Sequence, residues 1–171
     1  MKKRWLGLLV ENEIGVLARI SGLFSGKSYN LDSLTVGVTE DKTVSRMTIS
    51  LTSDDQTFEQ VKKQLNRSVE VIKVVDYTDV AIHRKELMFV RVSGCSEKDV
   101  EELFRISQIF NATVIDYDRD AVLIESVETE NHNNDLITLL GKCFAGRIEI
   151  TRGGSVAVEA LSVKNSRVIL R

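Results

Sequence analysis

Segments with the hydrophobic spacing of strands and segments with the spacing of helices follow one another in the same order in both halves of the chain. This repeat constrains the fold more than any other feature. Short apolar runs, and runs in which Val, Ile and Thr alternate with polar residues, predict strands. Apolar residues spaced three or four apart predict helices with one buried face. Both halves give the order strand, helix, strand, strand, helix, strand. Two copies of one topology are therefore predicted.

The first copy occupies residues 3–78. The run Trp5 to Val10 predicts a strand, and an amphipathic helix follows it. In the next strand Leu34, Val36 and Val38 alternate with polar or small residues, and the polar "EDK" after it predicts a hairpin to the strand "TVSRMTISLTS". A second helix and the strand "VEVIKVVDYT" complete the copy. The predicted core positions of the two helices are Val16, Leu17, Ile20, Leu23 and Phe24, and then Phe58, Val61 and Leu65.

The second copy begins with the strand "KELMFVRVS". The helix "SEKDVEELFRISQIF" follows, and Ser96 is its predicted N-cap. The segment "ATVIDYDRDAVLIESVE" predicts a hairpin that turns at Asp118 to Asp120. The helix "NNDLITLLGKCF" and the strand "RIEITR" end the copy.

This order predicts an α+β protein of two ferredoxin-like βαββαβ domains in tandem, each with an antiparallel sheet that carries two helices on one face. We predict domains at residues 1–78 and 79–171, with the boundary near "DVAIHRK". The tail that follows the double glycine alternates apolar and polar residues. It is predicted either to pack as an extended arm or to be mobile.

Composition and charge exclude several classes of function. The chain has 171 residues, 43% of them hydrophobic, and a formal net charge of -2, which argues against the basic field that nucleic acid or an anionic membrane surface demands. The apolar run near the start ends at Val10, which is too short for a signal-peptide core or a membrane span, so a cytoplasmic protein is expected. Cys95 and Cys143 lie in no metal-binding or disulfide pattern, and both are predicted to be buried or half-buried structural residues.

The segment "ENEIGVLARISGLF" places a glycine where the first strand passes into the first helix. The free N-H groups at the start of that helix, with the positive end of the helix dipole behind them, can hold a carboxylate. Gly15 lacks a Cβ and would let a ligand approach the N-H groups of Gly15, Val16 and Leu17. The alternative is purely structural: Asn12 or Glu13 caps the helix and Gly15 relaxes the turn.

Asn30 begins the second predicted strand. An asparagine side chain both donates and accepts hydrogen bonds, so Asn12 and Asn30 together suit both ends of an amino-acid zwitterion. Here too a structural interpretation is open, because asparagine favours the left-handed turn that often follows a helix.

The stretch "LLVENEIGVLARISGLFSGKSYNLDSLTVGVTEDKTVSRMTI" strongly resembles the start of the small, regulatory subunits of acetohydroxyacid synthase (acetolactate synthase), which begin with an ACT domain. The segments "YNLDSLTVG" and "SRMTI" carry most of the specificity. The general ACT pattern of an acidic or amide residue, two spacers, Gly, any residue and Leu corresponds here to Asn12, Gly15 and Leu17.

The resemblance implies that two copies pair as a homodimer and bind a small amino acid between them. One wall of the site would be Asn12, Ile14, Gly15, Val16 and Leu17, and the partner chain would contribute Asn30 and Leu31. The implied effector is valine, with leucine or isoleucine as further possibilities. The implied partner is the large catalytic subunit, which would carry thiamine diphosphate, magnesium and FAD and which this chain would activate and make sensitive to valine. No catalytic residue, cofactor or metal is expected in this chain.

The matching junction of the second copy, "SGCSEKD", lacks the Asn-x-x-Gly pattern, so no effector site is predicted there and this region is expected to contact the catalytic subunit. His83 and His132 lie in no catalytic motif. An RNA-recognition module shares the βαββαβ order, but "VSRMTISL" has no stacking aromatic residue. The remaining alternative is an ACT-type regulator that senses another amino acid or controls another biosynthetic enzyme.

Overall fold

The computed structural model describes residues 1–25 and 30–161. The first copy consists of β1 (Lys2–Glu11), α1 (Val16–Ser25), β2 (Leu31–Val38), β3 (Val44–Ser53), α2 (Asp55–Leu65) and β4 (Val71–Asp76). The second consists of β5 (Ile82–Ser93), α3 (Glu97–Ile109), β6 (Thr113–Tyr117), β7 (Ala121–Glu128), α4 (Glu130–Cys143) and β8 (Ile148–Glu159). The two four-stranded sheets have the orders β2-β3-β1-β4 and β6-β7-β5-β8. The predicted α+β class with two βαββαβ copies is confirmed.

Packing divides the chain differently from the predicted ranges 1–78 and 79–171. One compact unit is Met1–His83 together with the segment that begins at Val156, and the other is Arg84–Ser155. The predicted last strand ended at Arg152, whereas β8 continues through the double glycine to Glu159. Ala157 is buried with Trp5 and Tyr77 in the first unit, so this part of the tail packs as an extended segment. The rest of the tail, residues 162–171, lies outside the described residues.

The two faces of the sheet in the first unit pack against different parts of the chain. Alternate side chains of β1 point to opposite faces, so Leu6, Leu8 and Val10 join the core formed with α1 and α2. Trp5 belongs instead to the cluster with Tyr77 and Ala157. The start of α2 is fixed by Asp54, whose carboxylate accepts a hydrogen bond of 2.8 Å from the backbone N-H of Thr57.

The second unit confirms the predicted N-cap and corrects one prediction about cysteine. Ser96 and Asp99 form a reciprocal capping box at the start of α3. Cys95 is buried, as predicted, and its burial raises the pKa of its thiol. Cys143 is exposed, so the prediction of a buried or half-buried residue was wrong there. It is the last residue of α4, where the chain leaves the helix.

A buried polar network joins β5, β7, α4 and β8 in the second unit. The Glu86 carboxylate accepts hydrogen bonds from Arg152 at 2.6 and 3.0 Å and from the amide of Asn133 at 3.0 Å. The Ser126 hydroxyl donates to Asn133 Oδ1 at 2.8 Å. The arginine and the asparagine thereby compensate for the burial of the Glu86 charge.

Substitution of Gly7 tests how closely the first sheet packs against the Tyr77 ring. A Cβ at this position would lie 2.6 Å from Tyr77 Oη, so we expect Gly7→Ala to lower the free energy of unfolding by about 1–3 kcal/mol through overpacking. Gly37→Ala is the matched control, because a Cβ on that strand glycine meets nothing within 4 Å. Urea denaturation measures both variants. Equal stability of the Gly7→Ala variant and the wild type would contradict the close contact.

Candidate functional site

Asn12 fastens the loop after β1 to the β2–β3 hairpin. Its backbone N-H donates to Thr43 O at 2.7 Å, and its side-chain Nδ2 donates to Lys42 O at 2.9 Å. The Ser45 hydroxyl donates to Asn12 Oδ1 at 3.0 Å. Asn12 therefore holds the loop in place rather than capping α1, and within residues 1–25 and 30–161 one amide hydrogen and one oxygen lone pair of its side chain have no partner.

The turn into α1 depends on the conformation of Gly15. Its φ is +87°, a value that residues with a Cβ rarely adopt. The Val16 N-H donates to Glu13 O at 3.3 Å, and the Gly15 carbonyl accepts from the Arg19 N-H at 2.9 Å. Among the described residues, the N-H groups of Gly15 and Leu17 have no acceptor. These two donors at a helix N-terminus are suited to a carboxylate.

The predicted site residues differ widely in exposure. Ile14 is 100% exposed and Leu17 is 44% exposed, so both offer apolar surface. Val16 is 2% exposed and packs in the core, so only its backbone can contribute to a site. Asn30 is exposed at the start of β2, and Leu31 is half-buried against the core.

The strand register places the two predicted walls at opposite ends of the sheet. Both β1 and β2 pair antiparallel with β3, so they run parallel to each other. Glu11 lies opposite Val44 and Val38 lies opposite Ser45, which puts the Asn12 loop at the C-terminal end of β2. Leu31 begins that strand, about 23 Å away at 3.3 Å per residue. One chain by itself therefore does not bring the loop and Asn30 together.

Sequence reasoning missed two exposed apolar residues at the loop end of β2. Val36 is 46% and Val38 is 59% exposed, although Leu34 on the same face of the strand packs against the core. Their alternation was visible in the sequence. Their exposure was not, because it follows from the position of β2 at the edge of the sheet.

Arg19 adds positive charge beside the loop. Its Nε lies 2.6 Å from Glu70 Oε1, and its Nη1 lies 3.7 Å from the point where a Cβ on Gly15 would be. The hydroxyl of Ser68 and the guanidinium of Arg19 both stabilise the Glu70 carboxylate and lower its pKa. The ion pair holds the arginine next to the free N-H groups of the helix.

Comparison with known proteins identifies the family. Residues 6–73 match the family described as "AHAS small subunit-like ACT domain", and residues 85–160 match "Small subunit of acetolactate synthase". The chain belongs to the acetolactate synthase small-subunit family. Family membership confirms the resemblance inferred from the sequence and indicates a regulatory subunit.

Relatives match over almost the whole chain. The acetolactate synthase small subunit of Aquifex aeolicus is 42% identical over 96% of this chain and 85% of its own length. The probable small subunit of Archaeoglobus fulgidus is also 42% identical, over 91% of this chain and 96% of its own. In the crystal structure of the Thermotoga maritima small subunit, the fold agrees with a TM-score of 0.84 at 30% identity, covering 95% of this chain and all (100%) of that one.

In the second unit of this acetolactate synthase small-subunit family member, the junction between strand and helix that corresponds to the Asn12 loop is held by side chains of the unit itself. Gly94 has a φ of +68°, as Gly15 has a positive φ, but Ser96 caps the following helix. The Arg147 guanidinium donates to Gly94 O at 2.6 Å and to Asp99 Oδ2 at 3.1 Å. Hydrogen bonds from the Ser96 backbone and from Arg147 lower the pKa of Asp99. Side chains of the unit itself thus bond the N-H groups of Ser96 and Asp99 and the Gly94 carbonyl of this junction.

The two histidines lie on different elements of the second copy, His83 on β5 and His132 on α4. His132 Nε2 is 2.9 Å from Phe110 O in a packing contact with that ring. Within residues 1–25 and 30–161, no group of three His, Cys, Asp or Glu side chains is arranged to hold a metal ion. The same part of the chain contains no helix of the length and apolarity needed to cross a membrane.

The conformation of Gly15 generates a prediction about stability. We expect Gly15→Ala to cost about 1–2 kcal/mol, because the substitution forces a side chain into the left-handed region. Gly22→Ala, inside α1 and with open space around the new Cβ, should instead gain about 0.5–1 kcal/mol. Thermal and urea unfolding measure both. A stabilising Gly15→Ala would show that the loop readily adopts another conformation.

Proposed function

We propose that this regulatory subunit binds valine at two equivalent sites, each formed by two copies of the chain. The observation that carries the proposal is the strand register, which separates the Asn12 loop from Asn30 by the length of β2 within one copy. A second copy is needed to complete a site. The pairing is a homodimer through β2, the edge strand of the first sheet.

An antiparallel pairing of two β2 strands supplies the missing half. It places Leu31 of one copy beside Val38 of the other, and therefore Asn30 of one copy beside the Asn12 loop of the other. A two-fold contact of this kind creates both sites at once. The same pairing gives the exposed edge of each β2 a hydrogen-bonded neighbour.

The chemistry of each half suits one end of an amino-acid zwitterion. The free N-H groups of Gly15 and Leu17, at the positive end of the α1 dipole, bind the carboxylate. The Asn30 amide oxygen from the partner accepts from the ammonium group. Asn12 acts mainly by fixing the loop to the hairpin. Ile14, Leu17 and the partner's Leu31 cover a branched aliphatic side chain.

The proposed role follows from the family. The chain activates the large catalytic subunit of acetolactate synthase and, when valine is bound, transmits feedback inhibition in branched-chain amino-acid biosynthesis. The thiamine diphosphate, magnesium and FAD of the reaction belong to the catalytic subunit, and the proposed setting is the cytoplasm. The junction at "SGCSEKD" is proposed to contact the catalytic subunit.

Ligand-induced stabilisation tests the choice of effector. A ligand that binds only the folded protein stabilises it, by about 2.7 kcal/mol at a hundredfold excess over its dissociation constant. We expect valine to raise the melting temperature and lysine or aspartate to leave it unchanged. A shift with lysine or aspartate and none with valine would favour the alternative, a regulator that senses another amino acid.

Variants at the two halves test the shared site. Gly15→Asp places a carboxylate beside the ligand's carboxylate, and Asn30→Ala removes polar partners of the zwitterion. We expect each variant to lose inhibition of the reconstituted enzyme by valine and to keep its stimulation of acetolactate formation. Gly15→Ala is the control for backbone strain, because it shares the unfavourable φ without the charge. A loss of stimulation as well would mean that the loop also contacts the catalytic subunit.

Mixed dimers distinguish a shared site from a site within one chain. A pair with Gly15→Asp in one chain and Asn30→Ala in the other keeps one intact site, made of the unaltered loop and the unaltered asparagine. We expect one valine per mixed pair and none in either pure variant, measured by calorimetry on pairs purified through two different tags. Absence of binding in the mixed pair, alongside two sites in the wild-type dimer, would place the whole site in one chain.

A further inference from the structure

The loop end of β2 carries exposed apolar side chains that the proposed site does not yet include. Val36 lies opposite Met47 and Val38 lies opposite Ser45, and directly opposed residues of two strands point to the same face. Met47 is 1% exposed and belongs to the helix-covered core. Val36 and Val38 therefore point to the core face of the sheet and yet are 46% and 59% exposed.

The core face of β2 is covered at its start and open at its end. Leu34, opposite Ile49, packs against the core, whereas the two valines beyond it extend past the cover. Val36 and Val38 therefore form an exposed apolar surface on the inner face of the edge strand.

One residue of β3 links this surface to the proposed carboxylate site. Ser45 lies opposite Val38 in the register and donates its hydroxyl to Asn12, so only β3 separates Val38 from the residue that fixes the loop. Ile14 and Leu17, exposed on the same loop and helix, lie at the same end of the sheet. Four exposed apolar side chains, those of Ile14, Leu17, Val36 and Val38, therefore lie at the same end of the sheet as the N-H groups of Gly15 and Leu17.

We infer that Val36 and Val38 determine which effector side chain is accepted, by their size and by their lack of polar groups. The inference rests on the proposed function and extends it to residues outside the predicted site. An apolar surface of this kind disfavours charged side chains strongly, since a buried unpaired charge is costly. It separates aliphatic side chains by volume, where one methylene changes binding about 10- to 200-fold.

Two substitutions test size and polarity separately. Val38→Ala leaves more space for the side chain of the effector, and we expect the ratio of leucine affinity to valine affinity to rise about tenfold. Val36→Thr keeps the shape and adds a hydroxyl, and we expect valine affinity to fall about tenfold while threonine binds as well as before or better. Calorimetric titration of the full chain with valine, leucine and threonine gives these ratios.

Ile72→Thr is the matched control, because Ile72 is a β-branched residue, 55% exposed, on the other edge strand of the same sheet. It should leave all three affinities unchanged. Sedimentation of each variant, with and without ligand, reports the self-association constant independently.

The outcomes separate this inference from the function on which it rests. If the wild-type chain binds none of the three amino acids, both fail. If the wild type binds valine, but Val38→Ala and Val36→Thr weaken self-association and leave the ratios among the three ligands unchanged, the valines are contact residues of the dimer and the inference alone is overturned. Altered ratios with unaltered self-association support it.

Discussion

Strand β3 pairs antiparallel with β1 on one side and β2 on the other, and the proposed site depends on this arrangement. The pairing makes β1 and β2 parallel, so the end of β1 and the start of β2 lie at opposite ends of the sheet. Residues that look complementary in the sequence are thereby kept apart in one copy. Because β2 is an edge strand, a second copy can bring them together, and under the proposed function effector binding and self-association are linked equilibria.

The loop after β1 is held by the hairpin opposite it, and its conformation is set before any ligand arrives. Three hydrogen bonds from or to Asn12 hold it, and Gly15 supplies the positive φ that aims the first N-H groups of α1 outward. Preorganisation of this kind lowers the entropic cost of binding. Asn12 therefore serves to hold the loop, which is a different role from the direct contact with a zwitterion that the sequence suggested.

The two copies differ at the junction between the first strand and the first helix, where the site is proposed in the first copy. Both have a glycine of positive φ between the first strand and the first helix, at Gly15 and Gly94. In the second copy the Ser96 and Asp99 side chains form a capping box at the helix start, and Arg147 donates to the loop carbonyl of Gly94 and to Asp99. The difference lies in side chains that reach the junction from within the unit, and fold alone does not report it.

Local periodicity was enough to predict the α+β class, both βαββαβ copies, the hairpin at residues 40–42 and the Ser96 cap, because each depends on residues close together in the chain. It failed where distant packing decides: β8 continues past Arg152, with Ala157 covered by Trp5 and Tyr77, and Cys143 is exposed. Periodicity predicted Val16 as a core residue, but only the tertiary structure decided that Leu17 beside it is 44% exposed and that the Asn12 side chain holds the loop. It also decided that Val36 and Val38 stay open, since the exposure of a side chain is a property of its neighbours across the sheet.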